Sequence, residues 1–105
     1  GPAGVLLWLR WESPSTLRYA LKNGTKETRS LRRERTRVLS GAGQEELPFV
    51  LDVQSSGAVS DRLAPGATER GRLLLPAPVR AAVVEFALAG PAGREEKVRR
   101  TISRR

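Results

Sequence analysis

Cationic side chains are the most abundant chemically able groups in this chain, and they are unevenly placed. Lys26, Arg29, Arg32, Arg33, Arg35 and Arg37 face only Glu27 and Glu34 within 26–37. Arg94, Lys97, Arg99, Arg100, Arg104 and Arg105 face only Glu95 and Glu96 within 94–105. Each segment carries +4 and the rest of the chain sums to zero, so the whole net charge of +8 lies in two short stretches. A guanidinium donates a planar fork of hydrogen bonds that matches phosphate, sulfate and carboxylate. The chemistry offered is anion binding. The candidate ligating residues are Lys26, Arg29, Arg32, Arg33, Arg35, Arg37, Arg94, Lys97, Arg99 and Arg100, and they act together only if both segments share one face. The plainer reading is a solvated edge strand and a basic tail.

Other chemistry is largely excluded. The 105 residues contain no Cys, no His and no Met. Without Cys there is no disulfide, no thiol nucleophile and no usual ligand for an iron–sulfur cluster. Without Cys and His, the usual zinc and haem sites lose their ligands, and a His-based general base is impossible. Asp52 and Asp61 are the only Asp residues, and no calcium-loop spacing surrounds them. Glu45-Glu46 and Glu95-Glu96 are adjacent in sequence. In a strand they face opposite sides, so they solvate and do not form a catalytic pair. No enzyme, cofactor or metal is expected.

Nucleic-acid binding through a basic groove usually recruits aromatic rings for stacking. Neither basic segment contains one. Trp8 stands apart, because it shares a strand face with Arg10 and Glu12. It either anchors a binding surface, as exposed Trp often does, or packs in the core or against a neighbouring domain, which is the plainer reading.

The elements that must position these groups read as strands. Val5–Glu12 places Val5, Leu7, Leu9 and Trp11 on one face and Leu6, Trp8, Arg10 and Glu12 on the other. Ser13-Pro14-Ser15 breaks it. Thr16–Lys22 then points Leu17, Tyr19 and Leu21 inward. Asn23-Gly24 predicts a type I′ hairpin with a polar partner strand over Thr25–Ser30. The same Asn23-Gly24-Thr25 fits the N-glycosylation pattern, but the turn already accounts for it. A strand is favoured near Arg35–Leu39 over a helix across Leu31–Leu39. Leu47–Gln54 and Glu69–Leu75 follow, with a Pro-Gly turn at Leu63-Ala64-Pro65-Gly66 between them. Val79–Ala89, a turn at Gly90-Pro91-Ala92-Gly93, and Arg94–Ile102 close the chain.

Three stretches resemble fibronectin type III domains. Leu9-Arg10-Trp11-Glu12-Ser13-Pro14 with Tyr19 on the next strand is similar to that family's second and third strands. Leu63-Ala64-Pro65-Gly66 resembles its corner turn, and Val83–Gly93 (VVEFALAGPAG) its penultimate strand and following glycine, with Phe86 where the family has Tyr. The resemblance implies a sandwich that acts as a spacer or as a protein- or carbohydrate-binding module.

Seven to eight short strands without a convincing helix predict an all-β fold, an antiparallel immunoglobulin-like β-sandwich, with a small β-barrel as the alternative. A single domain is expected over 5–102, preceded by a flexible 1–4 and followed by a basic tail at 103–105. The missing Met and the Gly1-Pro2 start suggest a processed or excised piece of a longer protein. No stretch is apolar enough to span a bilayer as a helix. The expected function is a non-catalytic interaction module that contacts a protein partner or positions a neighbouring domain of the same chain. The alternative is a module that binds an acidic partner or polyanion, such as nucleic acid, acidic glycan or anionic lipid headgroup.

Overall fold

The computed structural model describes residues 4–104; Gly1–Ala3, in the N-terminal stretch expected to be flexible, and Arg105 lie outside them. The described residues form ten strands: β1 (Val5–Ser13), β2 (Thr16–Asn23), β3 (Arg29–Leu31), β4 (Arg37–Ser40), β5 (Glu46–Leu47), β6 (Val50–Ser56), β7 (Arg62–Leu63), β8 (Thr68–Leu74), β9 (Ala81–Ala89) and β10 (Glu95–Ser103). Three of them have only two or three residues, which leaves seven longer strands.

All pairings are antiparallel, in two sheets. The first sheet runs β1-β2-β8-β6. In the second, β9 is central, with β10 along one edge and β4 and β3 along the other; β5 and β7 extend these. Four strands facing a second sheet is the immunoglobulin-like layout. Two separate sheets exclude the barrel.

Alternation explains the core. Leu7, Leu17, Tyr19, Leu21 and Leu73 of the first sheet face Leu31, Val38, Val84, Phe86 and Leu88 of the second, all buried. The Tyr19 and Phe86 rings meet between the sheets at 4.8 Å and a 43° tilt, a favourable aromatic geometry. Gly71 makes room for the Tyr19 ring, since a Cβ there would lie 2.7 Å from Tyr19 Cε1.

Two turns differ from expectation. Asn23-Gly24 does not form a hairpin. Asn23 ends β2, and the chain crosses to the second sheet. The Asn23 side chain is fully buried: Nδ2 donates to the Glu27 and Leu63 carbonyls (2.9 and 2.8 Å), and Oδ1 accepts from the Thr25 N–H and hydroxyl (2.9 and 2.6 Å). Those bonds hold a corner and leave no Nδ2 hydrogen for a glycan. The tight turn occurs instead at Ser60-Asp61, both with positive φ, where Val59 and Arg62 exchange two backbone hydrogen bonds. By contrast, Ala64-Pro65-Gly66-Ala67 closes as expected, with Gly66 at φ +81° and the Ala67 N–H on the Ala64 carbonyl at 3.0 Å.

Within 31–39 a single 3₁₀ turn, Arg33–Arg35, precedes β4, so the strand starts two residues later than expected. Two of the three residues expected as a basic tail lie within the described residues, and both belong to the body. Ser103 belongs to β10, and Arg104 is fastened to the body. Its guanidinium donates to the Val79 carbonyl (2.6 and 3.0 Å) and lies 5.4 Å from the centre of the Trp11 ring.

Candidate functional site

The two basic segments lie on the second sheet and flank β9. β3 and β4 carry 29–31 and 37–40 along one edge, and β10 carries 95–103 along the other. β9 places Glu85 between them, in register with Arg37 and Arg99. Arg99 Nη2 sits 2.8 Å from Glu85 Oε2, and Lys97 Nζ and Arg37 Nη1 approach Oε1 at 3.7 and 3.9 Å. Burial works to raise the Glu85 pKa. The hydrogen bond from Arg99 and the charges of Arg99, Lys97 and Arg37 outweigh it and hold the carboxyl below its ordinary range.

The other members of these segments are largely paired as well. Arg29 meets Glu96 at 2.5 Å, Arg35 meets Glu95 at 3.2 Å, and Arg37 also meets Glu46 at 2.5 Å. Arg33 binds Asp61 and reaches Glu69, whose carboxylate is fully buried on the inner face of β8. Glu69 accepts from Arg33 Nη2 (2.5 Å), the Ser56 hydroxyl (2.8 Å) and the Tyr19 hydroxyl (3.1 Å). Burial first, and then the Glu69 charge, raise the Tyr19 pKa above its ordinary value, so the phenol stays protonated. Of the ten candidate ligating residues, Lys26, Arg32, Arg94 and Arg100 make no ion pair among the described residues. All four are exposed.

A different cationic surface covers the outer face of the first sheet. Cross-strand register builds it in rows. One row is Trp8, Ala20, Arg70 and Ser55; the next is Arg10, Arg18, Arg72 and Asp52; Leu6, Lys22 and Thr68 form a third. Trp8 is 49% exposed and Leu6 40%. Ala20, small and buried, sits between the tall side chains of Trp8 and Arg70. A shallow groove of about 310 Å³ results, lined by Trp8, Arg10, Arg18, Ala20, Gln54 and Arg70.

Charge on this face is only partly neutralised. Glu12 holds both Arg18 and Arg72 at 3.3 Å, and Arg18 also donates to Gln54 at 3.2 Å. Arg10, Lys22 and Arg70 make no ion pair among the described residues. Of two further hollows among the described residues, one is lined by the Arg37–Glu46 pair, and the other by the Arg29–Glu96 pair together with Glu27 and Arg94, which make no ion pair there. Of the residues lining the Trp8 groove, sequence reasoning singled out only Trp8. The alternation of Arg18 with Tyr19 and of Arg70 with Gly71 marks both arginines as outward, but only strand pairing brings them to Trp8.

No protein-family model matches the chain. No curated protein matches it by sequence either. Solved structures do resemble it. A chain of the "archaellum periplasmic stator protein complex FlaF and FlaG" from Sulfolobus acidocaldarius superposes with a TM-score of 0.56 at 18% identity, over 90% of this chain and 87% of that one. The archaellum periplasmic stator protein FlaG from the same organism gives 0.52 at 18% identity, over 91% and 99%. At that identity the likeness establishes the sandwich fold alone.

Proposed function

We propose that this chain is a non-catalytic β-sandwich module that docks a protein partner, or a neighbouring domain of its own chain, through the outer face of its first sheet. The observation that carries this is Trp8, half exposed beside Leu6 in a groove with Arg10 and Arg70, which make no ion pair among the described residues. Exposed Trp and Arg around a shallow groove is the composition of interface hot spots. The groups able to do chemistry are engaged elsewhere: Glu69 and Glu85 are locked in ion pairs, and the Tyr19 phenol is buried and protonated. The superposed archaellum sandwich comes from a complex of two proteins, and the fibronectin type III resemblance implies the same range of roles.

A photo-crosslinking residue at Leu6, compared with one at Thr101 on the opposite sheet, tests this in the native host. A crosslink from Leu6 alone, to one protein or within the chain to a neighbouring domain, lost when Trp8→Ala is added, is expected. A hot-spot Trp carries roughly 2 kcal/mol or more, about a thirtyfold loss of affinity. Equal capture from both faces, or none from Leu6, refutes the assignment.

The second reading is polyanion binding by the basic segments, supported by the four solvent-facing cations Lys26, Arg32, Arg94 and Arg100. Retention on heparin at low salt that falls steeply as salt rises, and weakens in Arg32→Glu, Arg94→Glu and Arg100→Glu, is its signature.

A further inference from the structure

Building on the docking reading, we infer that the partner offers an extended acidic segment whose aromatic side chain enters the slot between Trp8 and Arg70. Neighbouring strands lie about 4.8 Å apart, so Trp8 and Arg70, two strands apart across Ala20, stand roughly 10 Å apart at their bases. Carbon atoms in contact sit about 3.5–4.0 Å apart, so a flat ring between an indole and a guanidinium needs roughly 7–8 Å. That spacing leaves room for one ring above the small Ala20. The walls of the slot are suited to that guest, because an indole stacks on aromatic rings and a guanidinium lies favourably over their faces.

Spacing along the strand fixes the guest's backbone. Leu6, Trp8 and Arg10 project from the same face of β1 at intervals of about 6.8 Å. An extended peptide repeats its own alternate side chains at the same interval. Such a segment places an apolar residue on Leu6, the ring beside Trp8 and a carboxylate against Arg10. Charge points the same way. Arg10, Arg18, Lys22, Arg70 and Arg72 share this face with only Glu12 and Asp52, and Glu12 is already spent on Arg18 and Arg72.

A single-stranded nucleic acid is the other anion with rings, and the surface suits it less well. Among the described residues Trp8 is the only aromatic of the exposed large hydrophobics, so a run of bases finds one platform and no successor there. Leu6 next to it favours an aliphatic side chain.

Anisotropy of a labelled, capped seven-residue peptide with a central Phe flanked by Glu residues tests the assignment. Arg10→Glu with Arg70→Glu, and separately Trp8→Ala, are the variants. Binding at low salt, weakened at least about tenfold by either change, is expected. The same loss is expected when the peptide's Phe becomes Ala or its Glu residues become Lys. Indifference to the Phe removes the slot, and indifference to the charge removes the acidic guest. An oligothymidylate of equal charge that binds more tightly overturns the peptide in favour of nucleic acid. If no peptide binds while the Leu6 crosslink still captures a partner, the docking face stands and this inference falls. If both fail, both fall.

Discussion

Removing the Arg33 guanidinium isolates a buried carboxylate, and the cost can be worked from the geometry. Glu69 is fully buried and accepts from Arg33 at Nη2 (2.5 Å) and Nε (3.2 Å). In Arg33→Met only the neutral hydroxyls of Ser56 and Tyr19 remain on it. Breaking a buried ion pair from one side costs about 3–5 kcal/mol. Arg33 itself is 27% exposed, which places the cost near the lower end, about 3 kcal/mol. Single domains are stable by only about 5–15 kcal/mol, so the change is large. With an unfolding entropy of about 2.1 cal/mol/K per residue, a chain of 105 residues loses about 14 °C in Tm. Scanning calorimetry reads this directly. Adding Glu69→Gln to Arg33→Met removes the stranded charge, and at least half of the loss should return. A loss under about 1 kcal/mol for Arg33→Met, typical of an exposed pair, refutes the reasoning. So does a double variant less stable than the single one.

Three further outcomes follow from the same structure. Gly71→Ala drives a methyl into the Tyr19 ring and the Asp52 carbonyl, and should cost about 1–3 kcal/mol by urea unfolding. Ser60→Asn places a residue tolerant of positive φ at the φ +50° position of the Ser60-Asp61 turn, and should add about 0.5 kcal/mol. Glu85 has a folded-state pKa below its ordinary value. Its contribution is therefore complete above the unfolded value of about 4.3 and disappears as pH falls through the folded value. The stability gap between wild type and Glu85→Gln, measured by urea unfolding across acid pH, should be widest near neutrality and shrink below pH about 4.

Alternation made most of the fold legible. β1, β2, β8, β9 and β10 lie within a few residues of their expected spans because each has one apolar face that must be buried. What escaped is set by pairing between distant segments. Asn23-Gly24 carries the local signature of a hairpin, yet four side-chain hydrogen bonds turn Asn23 into a corner between sheets. Glu69 alternates in phase with Leu73, but its tolerance there depends on Arg33, brought by the 3₁₀ turn between β3 and β4. The basic segments show the same limit. Their net charge is local arithmetic, whereas Glu85 lies outside both and is carried between them by β9. Trp8 was readable as an outward aromatic; its basic setting came from the register of β2 with β8.

Hydroxyl-radical footprinting tests the docking face most directly, with Trp8 as the probe and the more buried Trp11 as the internal reference. In the isolated chain Trp8 should oxidise readily and Trp11 slowly. In its native host, Trp8 should become protected several-fold while Thr101 on the opposite sheet keeps its reactivity. Trp8 equally reactive in both settings, with protection confined to Lys26, Arg32, Arg94 and Arg100, would contradict the account.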